Sequence, residues 1–263
     1  MKVPIYQVDA FASSLFRGNP AAVCPLERWL PDETLQSIAA ENNLAETAYY
    51  TPVGHDRFHL RWFTPEVEVD LCGHATVATA AVVLGIRAEL AGSRVVFDSK
   101  SGELVVDREG DLYALNFPSN PPAPCAVDGG LAEALGAAPQ LTLASRGYFC
   151  VFETEAQVRA LRPNMDKVAA LDQWSVTATA PGEDCDFVSR FFAPAKGIPE
   201  DPVTGSSHTV LTPYWSERLG KKKMFARQVS RRGGELWCEN LGARVKIAGR
   251  AVPYLEGTIQ VPA

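Results

Sequence analysis

Two similar segments in the sequence predict a duplicated fold. Asp70–Thr76 (DLCGHAT) recurs in altered form as Asp201–His208 (DPVTGSSH), and an apolar stretch with helical character follows each copy. A strand-like segment that ends at a proline precedes each copy, Arg61–Pro65 in one case and Arg190–Pro194 in the other. We therefore expect two similar halves, and 263 residues are enough for two domains.

A proline-rich stretch marks the predicted boundary between the halves. Pro118–Pro124 (PSNPPAP) cannot continue a helix or a central strand, because proline lacks the backbone N–H group. We expect an N-terminal domain at residues 1–117 and a C-terminal domain at residues 118–263.

Each half contains many short strand patterns and one apolar helix. In the first half Ala75, Ala78, Thr79, Val82 and Val83 leave that helix almost without a polar face, which predicts burial on most sides. A curled sheet wrapped around a central helix fits this pattern. The predicted fold class is α+β, with two such domains.

Composition limits the partners that we expect. The formal net charge is −6, and the basic residues are scattered apart from Lys221–Lys223 and Arg231–Arg232, which argues against a nucleic acid or an anionic membrane surface. Met1–Tyr6 enters directly into a strand pattern without the apolar region of a signal peptide. The apolar helix candidate Ala75–Ile86 is too short to span a bilayer. We expect a cytoplasmic protein.

Neither the cysteines nor the histidines form a metal-binding pattern in the sequence. The six cysteines lie far apart without a C-x-x-C pair, so reduced thiols are expected. His55 and His59 are four residues apart, but they fall in a loop and a strand, and no acidic or cysteine partner completes a set of metal ligands. We expect no metal site.

The two helix starts are candidate anion-binding sites. Gly73 and Gly205 lie where the helices are expected to begin, and the unpaired N–H groups of a first turn attract anions. Two helix starts facing one site would hold a small molecule that carries a carboxylate. Ser206 and His208 are two apart on a helix and no G-x-S-x-G motif is present, which favours anion binding over covalent catalysis.

Glu46 and His74 are the candidate proton-transfer residues. Glu46 lies in Leu44–Tyr50, a strand-like run that is otherwise free of charge, and alternation puts it on one face with Ala48 and Tyr50. A carboxylate among apolar neighbours suits a group that takes a proton and returns it. The alternative is a strand-edge glutamate in water. His74 could bind a substrate carboxylate or move a proton, and the alternative is a helix cap.

The acidic and basic residues next to the repeated motifs have simpler interpretations. Asp70 and Asp201 precede the two helices, so capping or first-turn electrostatics is the simplest interpretation of both. We nevertheless assign Asp201 to the site, because Pro202 fixes the backbone that leads into the second helix. Arg61 and Arg190 are interpreted as structural counter-charges and left out of the site.

Five motifs, in order from one end of the chain to the other, carry a family resemblance. They are Val8–Phe11, Gly18–Val23, Asn43–Thr47, Leu71–Thr76 and Asp201–Ser206. Together they resemble the PhzF family, the phenazine-biosynthesis-like isomerases that are related to diaminopimelate epimerase. The resemblance implies two similar domains related by a pseudo-twofold axis, each a barrel-like sheet around a central helix. It also implies an active site in the cleft between the domains, no cofactor and a homodimer.

The resemblance implies a role for each site residue. Glu46 would be the acid/base, while Gly73, His74, Asp201, Gly205 and Ser206 would bind and orient the substrate. The phenazine-pathway member isomerises trans-2,3-dihydro-3-hydroxyanthranilate by moving a proton between ring carbons. We therefore expect an isomerase acting on a small carboxylated substrate, of which a cyclic dihydro-hydroxyanthranilate-like acid is one example.

Two alternatives stay open. Related epimerases use two cysteines, one from each half, and this chain keeps Cys72 but has Pro202–Thr204 where the second would be needed. An amino-acid racemase or epimerase that uses Cys72 is therefore weakly supported, and Cys72 is interpreted as a small buried hydrophobic residue. A binding protein that has kept the scaffold and lost turnover is the third hypothesis.

Overall fold

The computed structural model describes residues 1–87 and 92–262. The strands of the first 118 residues are β1 (Lys2–Ala10), β2 (Asn19–Pro25), β3 (Glu46–Pro52), β4 (Arg57–Phe63), β5 (Glu68–Val69), β6 (Arg94–Ser99), β7 (Gly102–Glu109) and β8 (Leu112–Pro118). The later strands are β9 (Ala123–Pro124), β10 (Leu141–Ala144), β11 (Tyr148–Val151), β12 (Val176–Pro181), β13 (Phe187–Ala193), β14 (Ile198–Asp201), β15 (Lys223–Gln228), β16 (Gly234–Asn240), β17 (Arg244–Gly249) and β18 (Ala251–Gln260).

Among the described residues, the helices are fewer than the strands. They are α1 (Asp32–Asn42), α2 (Gly73–Ala81), α3 (Leu131–Leu135), α4 (Glu155–Ala160), α5 (Met165–Ala169) and α6 (Gly205–Leu219). A π-helical turn, Val82–Ile86, continues α2, and a 3₁₀ turn, Pro194–Lys196, follows β13. No helix in the described ranges combines the length and apolar character that a membrane span needs.

The chain divides into two compact units. The first unit comprises Met1–Asn116 together with the residues from Ala248 onward, and the second comprises Phe117–Ile247. The first junction lies next to the predicted boundary, whereas the C-terminal residues group with the first unit instead of the second. The reason is strand pairing, because β18 runs antiparallel to β1 from Lys2 opposite Gln260 to Ala10 opposite Ala251.

The sheet of the first unit alternates parallel and antiparallel pairs. β2 is parallel to β3, β3 is antiparallel to β4, and β4 is parallel to β6, which continues into the antiparallel β7 and β8. Parallel neighbours need a crossover connection, and α1 and α2 lie in the two crossovers. β1 pairs with both β2 and β18.

The two faces of β3 contact different helices. The Tyr49 hydroxyl donates a hydrogen bond of 2.7 Å to the Leu35 carbonyl of α1, whereas Glu46, on the other face, points toward α2. Every residue of α2 after Gly73 is buried. The five apolar-helix residues that were predicted to be buried, from Ala75 to Val83, are therefore confirmed as buried. The helix α2 is the central helix of the first unit.

The second unit repeats this order of strands. β11 is parallel to β12, β12 is antiparallel to β13, and β13 is parallel to β15, which pairs with β16. The helix α6 lies between β14 and β15 and is buried through most of its length. Trp215 of α6 stacks on Phe187 and donates to the Thr179 hydroxyl at 2.9 Å. The predicted α+β class, with strands around one central helix in each half, is confirmed.

Candidate active site

Glu46 is the first residue of β3, and its side chain lies beneath the start of α2. In the parallel pair of β2 and β3, Glu46 stands opposite Ala21. Asn19 lies two residues before Ala21, so its side chain points to the same face of the sheet as Glu46. His74 reaches this face from α2, and its Nε2 atom lies 2.9 Å from Glu46 Oε2. Glu46, Asn19 and His74 are all buried.

The His74 ring has contacts at both nitrogens. Its Nδ1 atom lies 3.2 Å from the Asn19 side-chain amide and 3.5 Å from Cys72 Sγ. The ring is thus held between the amide of Asn19 on one side and the carboxylate of Glu46 on the other. The histidine is not a simple helix cap, because its ring bonds to side chains of the sheet.

The protonation states of this cluster follow from burial and from the nearby charges. Burial by itself lowers the pKa of His74, but Cys72 and Glu46 outweigh it and raise the pKa well above its ordinary value. Burial, reinforced by Glu46, raises the pKa of Cys72 to about 11. At neutral pH Cys72 is therefore a thiol, and the raised pKa of His74 favours its protonated form.

The start of α2 is arranged to receive an anion. The N-cap residue is Cys72, and no side-chain hydrogen bond caps the helix. Asp70 is exposed and does not cap it, so the capping interpretation of Asp70 is wrong. Gly73 is partly exposed and has no side chain to cover the first turn, so the positive end of the helix dipole is open beside His74.

The same cluster contains the donor atoms of a possible cation site. One ligand atom each from Glu46, Cys72 and His74 lie within 4.8 Å of one another. Carboxylate, thiolate and imidazole are all zinc ligands, but a cation would have to displace the protons of His74 and Cys72. The sequence pattern did not predict this group, because Glu46 is distant in sequence from the other two residues.

In the second unit, Thr204 precedes α6 and is held by several side chains. Its hydroxyl donates to Asp201 Oδ2 at 2.5 Å, and its backbone N–H donates to the Gln228 side-chain oxygen at 2.8 Å. The hydroxyl therefore does not cap the helix, and neither does Asp201. The capping interpretation of Asp201 is wrong, and α6 begins at Gly205 with Ser206 exposed.

His208 bonds within the helix start and not to Ser206. Its Nδ1 atom donates to the Thr204 carbonyl at 2.8 Å, and the imidazole is fully buried. Burial lowers the pKa of His208 to about 4. A neutral histidine fixed in this way is no base for Ser206, in agreement with the sequence argument against a nucleophilic serine.

The two arginines before the repeated motifs form matching ion pairs. Arg61 binds Glu68 through two hydrogen bonds of 2.8 and 3.0 Å, and Arg190 binds Glu200 through two of 2.7 and 2.9 Å. In each unit the partner glutamate belongs to the short strand, β5 or β14, that follows the arginine's strand. This pairing fits the interpretation of both arginines as structural counter-charges.

Among the predicted site residues, the structure brings Glu46, Gly73 and His74 together within the first unit. Asp201, Gly205 and Ser206 adjoin one another in the second unit. Sequence reasoning included Asn19 only within the Gly18–Val23 motif and missed its place in the site. The sequence carried little signal for it, because an asparagine between a glycine and a proline is typical of a turn.

Comparison with known proteins gives matches along the whole chain. A model of the family described as phenazine biosynthesis-like protein matches residues 8–257. An uncharacterized isomerase of Pseudomonas aeruginosa is 51% identical over 262 residues, which cover 99% of this chain and 100% of that protein. A PhzF-family phenazine biosynthesis protein of Enterococcus faecalis has a crystal structure that matches with a TM-score of 0.97 at 44% identity, over 99% of this chain and 100% of that one.

A more distant structure shows how widely the architecture is shared. A hydroxyproline epimerase of Agrobacterium vitis matches with a TM-score of 0.59 at 11% identity, over 98% of this chain and 92% of that one. At this level of identity the likeness concerns the fold alone. The chain therefore has the epimerase-like architecture that the sequence predicted.

Proposed function

Because the chain belongs to the phenazine biosynthesis-like family and is an isomerase, we propose that it moves a proton between two carbons of a small carboxylated substrate. In this proposal Glu46 is the acid/base and no cofactor takes part. A cyclic acid similar to dihydro-hydroxyanthranilate is one candidate substrate.

The observation that carries the proposal is the buried pair of Glu46 and His74 beside an uncapped helix start. The Glu46 carboxylate is buried, and its Oε2 atom is 2.9 Å from His74 Nε2. A solvated glutamate at a strand edge would need no such partner. A carboxylate held in one position under a helix N-terminus is suited to repeated proton transfer at a bound substrate.

The reaction follows from these groups. The Glu46 carboxylate removes a proton from one carbon, and the electron pair left behind delocalises into the conjugated system of the substrate. The His74 imidazolium and the N–H groups at the start of α2 stabilise the negative charge as it develops. Glu46 then returns the proton to a second carbon and becomes a carboxylate again, so that the substrate gains and loses no atoms or electrons.

We assign substrate binding to Gly73 and His74 in the first unit and to Asp201, Gly205 and Ser206 in the second. For Gly73, the supporting observation is the missing side-chain cap on α2. For Gly205, it is the diversion of the Thr204 hydroxyl to Asp201, which leaves the start of α6 without a side-chain cap. Helix starts without a cap keep their N–H groups available for an anion.

Glu46→Gln tests the proposal. We expect deuterium incorporation from D₂O into a bound substrate to fall about 10²- to 10⁴-fold, because the amide cannot accept the proton. The assay would follow a panel of small aromatic and cyclohexadienyl carboxylates by NMR and mass spectrometry. Glu155→Gln is the matched control, since Glu155 is equally buried but pairs with Arg159. Unchanged exchange in Glu46→Gln, with the fold intact, would reject the mechanism.

A racemase or epimerase that uses Cys72 is the second candidate. The observation that favours it is the 3.5 Å contact between Cys72 Sγ and His74 Nδ1, which offers a route for a thiol proton. The pKa of about 11 opposes it, because a thiolate base would be scarce at neutral pH. Full activity of Cys72→Ala would eliminate this function. A metabolite screen that finds saturable binding but no proton exchange would instead indicate a binding protein.

We also propose that two copies of the chain form a homodimer in the cytoplasm. Support comes from β18, where Pro253–Thr258 are exposed on both faces of the strand and Tyr254 and Leu255 are apolar. Glu256 is the single charged residue of this strand. Exposed apolar strands with few charges are typical of association surfaces. The same strand of a second copy would present a matching surface, as in a twofold dimer.

A further inference from the structure

The Gly18-Asn19-Pro20 motif places a buried amide against the candidate acid/base pair. Gly18 adopts a φ of +66°, and a Cβ atom there would lie 2.2 Å from the Ala10 carbonyl oxygen. Pro20 restricts the preceding residue, Asn19, to an extended backbone. The three residues together therefore fix the start of β2 and the direction of the Asn19 side chain.

Asn19 and Glu46 contact different nitrogen atoms of the His74 ring. The Asn19 amide lies 3.2 Å from Nδ1, while Glu46 Oε2 lies 2.9 Å from Nε2. The two contacts hold opposite ends of one imidazole. Rotation of the ring would break both of them, so Asn19 sets the orientation in which Nε2 faces Glu46.

An amide is a particular kind of partner for a titrating ring. Its N–H group donates to the bare Nδ1 of a neutral imidazole, and after a half-turn its oxygen accepts from the Nδ1–H group of an imidazolium. A carboxylate at the same position could only accept, and would favour the cation. An alanine would offer neither group.

We propose that Asn19 is a positioning residue, which holds the His74 ring so that Nε2 faces Glu46. The inference rests on the proposed function for its consequence, since a ring turned away from Glu46 could not assist proton transfer there. Its contacts to His74 can be tested without any turnover.

The charged groups around the ring define what the test must separate. Glu46 approaches from β3, Cys72 lies at the helix start, and both raise the pKa of His74 against the effect of burial. Asp9 of β1 stands opposite Pro20, so its side chain lies on the other face of the sheet from Asn19, where it accepts a hydrogen bond from the Phe16 backbone N–H at 2.9 Å. A new carboxylate at position 19 would add one charge at Nδ1 and leave these groups in place.

NMR of ¹⁵N-labelled histidine rings tests the proposal on the intact chain. The chain has four histidines, and His74→Gln assigns the His74 signal. In Asn19→Asp we expect the pKa of His74 to rise by about 1 or more, because a carboxylate within hydrogen-bonding distance stabilises the cation. In the unmodified chain, above that pKa, we expect the ring proton on Nε2 and Nδ1 without a proton.

Asn42→Asp is the matched control. Asn42 Nδ2 donates to the Thr47 hydroxyl at 3.1 Å, so it contacts β3 near Glu46 but does not contact His74. A pKa of His74 that responds equally to both substitutions would overturn the proposal, and so would a neutral ring with its proton on Nδ1. Should Asn19→Asp fail to fold, the proton position in the unmodified chain still decides.

Deuterium incorporation from D₂O then tests whether the contact between Asn19 and His74 matters for the reaction. Given an active substrate, we expect Asn19→Asp and Asn19→Ala to exchange at least about tenfold more slowly than the unmodified chain, and Asn42→Asp to exchange at the normal rate. If no substrate shows exchange in the unmodified chain, the proposed function fails, while the NMR titration still tests the role of Asn19. Normal exchange in both Asn19 variants would overturn the catalytic consequence.

Discussion

His208 of α6 is a neutral histidine held in the core of the second unit. Its Nδ1–H group bonds to the Thr204 carbonyl, its ring lies 6.0 Å from that of Phe187, and it is fully buried. Burial lowers the pKa of His208 to about 4 in the folded chain, whereas in the unfolded chain this histidine binds a proton near pH 6.5. The unfolded state then binds more protons, and stability falls as the pH falls between these two values.

This gives a prediction at the scale of one residue. Between pH 7 and pH 5 we expect His208 to reduce the free energy of unfolding by roughly 2 kcal/mol. His208→Asn should lose that pH dependence, and it should be less stable at pH 7 because the smaller side chain leaves a cavity beside Phe187. Urea unfolding at the two pH values measures both effects, and an identical acid loss in the variant would contradict the assignment.

Single residues show where sequence reasoning succeeds and where it stops. Glu46 stood out as the one charge in an apolar strand, and His74 stood out beside a helix-start glycine. Asn19 carried no such contrast. Its importance depends on the pairing of β2 with β3, in which Ala21 stands opposite Glu46 and Asn19 lies two residues before Ala21. Thr204 was not singled out from the sequence, and the 2.5 Å bond to Asp201 shows that its hydroxyl does not cap α6.

At the scale of elements, the turn between β1 and β2 depends on one glycine. Gly18 lies in the left-handed region at a φ of +66°, and a Cβ atom would lie 2.2 Å from the Ala10 oxygen and 2.8 Å from Ala12 Cβ. Both neighbours belong to a buried, hydrogen-bonded part of the chain and cannot yield. The turn therefore tolerates no side chain at this position.

Gly18→Ala should destabilise the chain by about 2–4 kcal/mol, because steric overlap adds to the cost of a positive φ. Gly110→Ala is the matched control. Gly110 has nearly the same φ, +67°, but nothing lies within 4 Å of the added carbon, so we expect a cost of about 1 kcal/mol. Thermal unfolding compares the two variants. Equal losses would show that backbone conformation alone, without contact, determines the cost.

Most elements could be predicted from the sequence, because alternation and apolar periodicity are local properties. The two apolar helices begin at Gly73 and Gly205, where the sequence placed their starts. The two-residue strands β5 and β9 are too short for any periodicity to show. The π-helical turn after α2 was also invisible, because its residues continue the same apolar pattern.

At the scale of the whole molecule, the exposed residues of β18 give a prediction about assembly. Leu255→Lys should turn the expected dimer into a monomer, because a charge would be buried in the proposed interface. Leu241→Lys is the control, since Leu241 is similarly exposed but lies in the turn after β16. Sedimentation velocity reports the mass of each variant. A monomeric unmodified chain, or a dimeric Leu255→Lys, would contradict the proposed interface.

The division into units at this scale was only half accessible from sequence. The proline-rich stretch at Pro118–Pro124 marked the first junction well, because its composition excludes regular structure. The pairing of β18 with β1 joins two segments that are far apart in the sequence, and no local sequence pattern near residue 248 indicates it. Long-range partners of this kind are set by tertiary contacts and not by composition.

The pairing of β18 with β1 has a consequence for synthesis on the ribosome. Phe117–Ile247 form one uninterrupted stretch, whereas the first unit must wait for residues made after that stretch before β1 gains its second neighbour. Nascent chains would thus carry a bare strand edge near their beginning for most of translation, which invites misassociation with other chains. Chains truncated just before residue 251 should recruit holding chaperones, whereas chains released from the ribosome with residues 251–260 should not.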